Sequence, residues 1–151
     1  MAGHTFSSMY YHLVWSTFKR QRLLSPDVNR RLFPYIRGII QKEGELLFEI
    51  SGVDDHIHLL VGIRPDKAVS ALVRTIKAGS SKWIHLTFEG LPQFAWQEGY
   101  GVFSVSKSIT PDVIAYIQKQ EEHHRVKPFH EEFVELLKKH GLPFDERYIW
   151  G

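Results

Sequence analysis

Two histidines flank a single isoleucine at His56-Ile57-His58, inside an apolar run that reads as a β-strand. Side chains alternate across a sheet, so both imidazoles share one face while Ile57 points to the other. Two imidazoles so placed can grip one metal ion, and burying both without a ligand or hydrogen-bond partners is costly. Ordinary surface strands also carry this pattern, which by itself is unspecific. Just upstream, Asp55 can orient an imidazole by accepting from its ring N–H, while Asp54 and Asp55 together also make a natural turn. Cysteine is absent, which excludes disulfides and leaves nitrogen and oxygen as the metal donors.

A second group lies in the segment AYIQKQEEHH. Tyr116, Gln120 and His123 are spaced i, i+4 and i+7, which places them on one stripe of a helix, with His124 at its edge. An amphipathic helix with a core tyrosine and a solvated glutamine has the same periodicity. Taken together, the two groups say more. Two imidazoles and an amide oxygen form a neutral site with open positions, suited to magnesium or manganese rather than structural zinc. Such an ion polarises a scissile phosphate. A tyrosine phenolate can then attack the phosphorus and form a covalent intermediate that preserves bond energy for rejoining.

The elements that must position these groups follow from local pattern. Residues 10–17 (YYHLVWST) read as a strand, and Ser25-Pro26-Asp27 as the start of a helix that Gly44 ends, with Pro34 a point of kinking. Two strands, 46–53 and 56–63, flank a hairpin at Asp54-Asp55. A helix follows over roughly 67–86, then a strand pair, 94–96 with 99–106. A helix from 112 to about 124 carries the tyrosine, and a charged helix, 129–140, precedes the tail. This order predicts one α+β domain over residues 1–151, a ferredoxin-like split β-α-β fold with an antiparallel sheet and helices on one face.

The net charge is only +2 with a pI near 8.8, but its distribution is uneven. Lys19, Arg20, Arg22, Arg30, Arg31, Arg37 and Lys42 are opposed within their stretch by Asp27 alone, and Arg74, Lys77 and Lys82 form a second basic set. Such clusters neutralise phosphates, although a solvated helix face has the same composition. Arg20, Arg22, Arg74, Lys77 and Lys82 are the candidate DNA contacts. No apolar run approaches the roughly 18 residues of a spanning helix, and no secretory signal is evident, so the expectation is a cytoplasmic protein without membrane contact.

The residues above bring a family into view. The chain resembles the small single-tyrosine HUH transposases, those of the 200/605 class of insertion sequences and their REP-associated relatives. DDHIHLL carries the paired-histidine signature, and Tyr116, Gln120, His123 and His124 match the helix signature. YYHLVWSTFKR, FAWQEGYGVFSVS and FDERYIWG extend the likeness over nearly the whole chain. The resemblance implies that His56, His58 and Gln120 are ligands of a magnesium or manganese ion and that Tyr116 is the nucleophile. It implies a 5′-phosphotyrosine and a free 3′-hydroxyl on cleaved single-stranded DNA, with folded hairpins near the element ends as the recognised feature. It also implies a homodimer in which a catalytic helix can complete the partner's histidine pair. His123 and His124 are expected to shape the site or contact phosphate, with His123 also a candidate ligand, and Asp55 to shape the site.

Other residues fit structural roles. Tyr10, Tyr11, Tyr35, Tyr100 and Tyr148 stand in no helical row with potential ligands. His4, His12, His85, His130 and His140 are scattered and read as surface or locally bonded, and Trp15, Trp83, Trp96 and Trp150 as packing residues. Two rival functions remain open on the residues alone. One is a catalytically inactive module that binds hairpin DNA through the basic segments; the other is a metal-dependent phosphoesterase that uses water in place of the phenol.

Overall fold

The β-branched and aromatic runs form four strands in the computed structural model, which describes residues 3–150. They are β1 (Tyr10–Ser16), β2 (Leu46–Val53), β3 (His56–Gly62) and β4 (Gly101–Val105). All pairings are antiparallel in the order β2-β3-β1-β4, the split β-α-β arrangement expected from the sequence. β3 is therefore central, and every one of its residues is buried. Ile57, Leu59 and Val61 enter a core built with Leu13 and Trp15 of β1 and with two long helices, α1 (Pro26–Lys42) and α2 (Val69–Thr87). The intervening residues, His56, His58 and Leu60, face the opposite side.

α1 begins where its sequence predicts. Ser25 caps it by accepting from the Val28 amide (3.2 Å), Pro26 occupies the first turn, and Gly44 follows its end at φ +78°. Pro34 does not break it, because Leu32, Ile36 and Ile40 anchor the helix to the sheet on both sides of the proline.

Helices cover both faces of the sheet, where the sequence reading placed them on one. α1 and α2 take the expected face. α3 (Thr110–Gln118), α4 (Gln120–Val126) and α5 (Phe129–Lys139) cover the other. There Phe129, Phe133 and Leu137 pack on Val14 and Phe103, and Ile117 packs on Leu60 and Val105. The predicted strand pair 94–96 with 99–106 does not form. β4 pairs with β1, and Trp96 makes an isolated bridge to Thr17 farther along the same edge of β1. The two segments thus share one edge and lie in line along it.

The hairpin that delivers His56 depends on a close backbone approach at Gly52. A Cβ there would collide with the carbonyl oxygen of His56 and lie 2.8 Å from Ile57 Cγ2. Gly52→Ala is expected to destabilise the fold by about 1–3 kcal/mol, the usual range for an overpacked site. The change should appear as a lowered melting temperature together with weakened metal binding. A fully stable variant would show that the hairpin has slack.

Candidate active site

The two histidines of β3 present their Nε2 atoms to a single carboxylate. His58 Nε2 lies 3.1 Å and His56 Nε2 3.4 Å from Oε1 of Glu132, which reaches in from α5. The other ring nitrogens are also engaged. His56 Nδ1 donates to Asp55 Oδ1 at 2.7 Å, and His58 Nδ1 lies 2.8 Å from His12 Nε2 on β1. Each imidazole is thus held at its back and aims its Nε2 at the same point, the arrangement of metal-ligating histidines. His56, His58 and Glu132 carry donor atoms within 4.8 Å of one another, all buried.

Tyr116 and Gln120 arrive from the same side, though not on one helix. The predicted helix is broken at Lys119 (φ −99°, ψ 22°), so Tyr116 belongs to α3 and Gln120 to the first turn of α4. The break still delivers both. The Tyr116 hydroxyl donates to Glu132 Oε2, and Gln120 places Oε1 3.2 Å from His56 Nε2 and Nε2 3.3 Å from Glu132 Oε2. His124 Nε2 lies 3.1 Å from Gln120 Oε1 and 3.3 Å from Glu132 Oε1. His123 packs, tilted by 31°, against the Tyr116 ring, with centroids 4.7 Å apart. Of the residues singled out by sequence, Asp55, His56, His58, Tyr116, Gln120 and His124 converge, and His123 borders them through the phenol.

Two residues that sequence reasoning assigned no role are central. In the sequence Glu132 is one residue of a charged helix, and His12 is one of the scattered histidines that read as surface or locally bonded. Instead His12 is buried and stacks on His58 (5.0 Å, 26°). Glu132 had one usable signal: it follows Phe129 by three residues and precedes Phe133 and Leu136, so it falls on the apolar stripe of α5. The His12 signal was alternation, since His12 and Val14 share one face of β1.

The environment sets charge as well as position. Burial would raise the Glu132 carboxyl, but hydrogen bonds from His124, His56 and His58 outweigh it and hold the group well below the usual carboxylate range. Burial would lower His56, yet its bonds to Asp55 and Glu132 raise it. For His58 burial wins, pulling it down to about 4, and His12 is likewise driven far below its ordinary value by burial and by His58. Burial, followed by the charge and the hydrogen bond of Glu132, pushes the Tyr116 phenol up.

The metal-free fold should therefore be acid-sensitive. A folded-state pKa below the unfolded value contributes stability that is complete above the unfolded value and is lost as pH falls toward the folded one. For His58 that window runs from 6.5 to about 4. At about 1.4 kcal/mol per pH unit, His58 is worth on the order of 3 kcal/mol, and His12 acts in the same direction. His56, being raised, works oppositely, its contribution being lost as pH rises. That loss lies above 6.5, so His56 leaves the acid side unchanged, and the melting temperature should fall from pH 6.5 to pH 4. A flat profile would contradict a neutral, buried His12–His58 pair.

The candidate DNA cations are dispersed. Arg22 lines a cleft of about 750 Å³ with Arg30, Arg125 and Lys127, which reaches the site at Asp55, His124 and Phe129. Arg20 lies over the Trp150 ring (4.6 Å) and 3.4 Å from His130 Nδ1. Arg74 and Lys82 are exposed on α2, across the sheet from the histidine pair. Lys77 is already committed: its ammonium donates to the carbonyls of Gln97, Glu98 and Gly99 at 2.6–3.1 Å, and burial lowers it to about 8. It braces the loop before β4.

Residues 5–120 match the family described as "Transposase IS200 like". The ISDra2 transposase TnpA of Deinococcus radiodurans is 25% identical over 117 residues, which cover 74% of this chain and 84% of that one. The transposase of insertion sequence element IS200 from Salmonella typhimurium is 27% identical over 125 residues, covering 80% and 82%. Among solved structures, one from Deinococcus radiodurans described as a candidate transposase superposes with a TM-score of 0.65 at 27% identity, covering 80% of this chain and 97% of that one. A REP-associated tyrosine transposase bound to a REP hairpin superposes with a TM-score of 0.60 at 15% identity, over 82% and 74%, a likeness of fold. His56, His58, Tyr116 and Gln120 lie inside the matched span, whereas Glu132 lies beyond it.

Proposed function

This chain belongs to the family of IS200-like transposases, and from that premise we propose that it cleaves and rejoins single-stranded DNA at hairpin-flanked ends through a 5′-phosphotyrosine on Tyr116. The observation that carries this reading is the convergence on Glu132 of the Tyr116 hydroxyl and both Nε2 atoms of the histidine pair. The donor set fits a divalent metal. It offers two imidazoles backed at Nδ1, a carboxylate and an amide oxygen, without thiolate. His56, His58 and Glu132 would hold the ion, with Gln120 Oε1 beside them, and magnesium or manganese suits such donors. When bound, that ion supplies the positive charge that offsets Glu132 and polarises the scissile phosphate.

The chain's own groups account for the remaining steps. The phenol oxygen attacks phosphorus, forming the tyrosyl–phosphorus bond as the bond to the 3′-oxygen breaks. Glu132 Oε2 accepts the hydrogen bond that orients the phenol, the phenolic proton is released to solvent as the oxygen attacks, and the departing 3′-oxygen takes up a proton from water to become a hydroxyl. Rejoining reverses this: a 3′-hydroxyl attacks the phosphotyrosine, and the phenol regains its proton. The hairpin bound by the structural relative supports a hairpin substrate here. The meeting of Tyr116, Gln120 and the histidine pair within one chain supports a site served in cis, and exchange of the catalytic helix between the two chains of a homodimer is the alternative that the resemblance carries.

A second reading, hairpin binding without cleavage, is favoured by one observation. His56, His58 and Gln120 are fully buried beneath α5, and Phe129 stacks on His56 at 3.7 Å. Cleavage therefore requires the Phe129 ring to give way to the phosphate while Glu132 keeps its place beside the histidine pair. Incubation with single-stranded DNA carrying a hairpin, in magnesium or manganese, distinguishes the two. A covalent protein–DNA adduct mapped to Tyr116 by mass spectrometry supports strand transfer. Tight hairpin binding with no adduct in either ion would overturn it in favour of the silent module.

A further inference from the structure

His58 can hold a cation through Nε2 only if that nitrogen carries a lone pair, which requires the ring proton to sit on Nδ1. In the metal-free chain the opposite holds. Glu132 accepts from Tyr116 and Gln120, and as an acceptor it takes the Nε2 proton of His58 as well (3.1 Å), so Nδ1 must then accept. The group facing Nδ1 is His12 Nε2, at 2.8 Å, which donates in this state. Loading the site thus demands that both rings exchange tautomers together.

We infer that His12 is a positioning residue that holds His58 in its metal-binding tautomer, a role that rests on the metal site proposed above. Proton bookkeeping closes without gain or loss. The Nε2 proton of His58 leaves to solvent, the Nε2 proton of His12 moves to His58 Nδ1, and His12 Nδ1 takes one proton from water. Water has a route to His12, which lines a cavity of about 390 Å³ with Ser104, Asp112, Tyr116 and Lys139. Asp55 does the corresponding work for His56 as a permanent acceptor. A carboxylate fixes one tautomer, whereas an imidazole serves both states. That difference assigns His12 a function beyond filling space.

Two substitutions separate hydrogen bonding from packing. His12→Phe keeps the ring that stacks on His58 and removes its nitrogen. His12→Gln loses the ring but retains both a donor and an acceptor. Mn²⁺ affinity by calorimetry is expected to fall roughly 10–100-fold in the phenylalanine variant, the usual cost of losing such a partner. The glutamine variant should stay within a few-fold of the original chain. With Mg²⁺, long-range ¹⁵N–¹H correlations should show His58 protonated at Nδ1 in the original chain and the glutamine variant, a signature that packing alone does not set. Unchanged Mn²⁺ affinity in His12→Phe, or weaker binding by His12→Gln than by His12→Phe, would overturn the role of His12 and leave the metal site standing. Absence of Mn²⁺ binding by the original chain would overturn both.

Discussion

Tyr116→Phe is expected to abolish the covalent protein–DNA adduct and to lower strand cleavage by about a thousandfold or more, the scale seen when a nucleophile is deleted from a catalytic group. The change removes one oxygen. The ring stays packed against His123 and beside Ile117, and Glu132 keeps its bonds from His58, Gln120 and His124. Hairpin affinity and Mn²⁺ affinity should therefore remain close to those of the original chain, so the loss registers in chemistry alone. Denaturing gels with 5′-labelled and 3′-labelled strands read the adduct directly, and chelation should remove it from the original chain. An adduct that persists in Tyr116→Phe would transfer the role to another phenol. The structure offers poor substitutes: Tyr35 stacks on Trp83 (4.6 Å), Tyr10 packs on Phe48, and Tyr148 is exposed on the tail. None of these touches Glu132.

What could be read from the chain alone follows the range of the interactions. The β3 pair was legible because strand alternation is local: two residues apart means the same face. The capped start of α1 and its end at Gly44 were legible for the same reason. Tyr116 and Gln120 were found through helical spacing, and they converge even though that helix breaks at Lys119. The contact survives because a single non-helical residue leaves the next turn near enough for Gln120 to reach His56. Glu132 and His12 lay beyond such reasoning, since their meaning depends on partners 74 and 46 residues away. Only the sheet order, with β1 beside β3, tells which face of β1 meets the histidine pair. Only the packing of α5 on Val14 and Phe103 brings its carboxylate over that pair. Lys77 failed in the opposite direction: its charge was visible, but not the three carbonyls that consume it.

Glu132 yields the second large effect, because five polar side chains meet at its two oxygens. In Glu132→Ala, His56, His58, His124, Gln120 and Tyr116 lose their common acceptor, three of them (His56, His58 and Gln120) in full burial. Breaking a buried charged network from one side costs about 3–5 kcal/mol. For a chain of this length that is a fall in melting temperature of roughly 10 °C. Glu132→Gln keeps the shape and one acceptor oxygen while removing the charge, so it should melt between the two and bind Mn²⁺ far more weakly than the original chain. The pH dependence identifies the cause. A carboxyl held below its unfolded value contributes stability that is present in full above the ordinary carboxylate range and is lost as pH falls through the folded value. The gap between the original chain and Glu132→Gln should therefore be widest near neutrality and narrow in acid below that range. Equal melting temperatures and equal Mn²⁺ affinities at neutral pH would remove Glu132 from the metal site, and with it the acceptor that orients the phenol. A narrowing gap with weakened Mn²⁺ binding would tie stability and metal capture to one carboxylate, placing on α5 a group that lies past the end of the family match at residue 120.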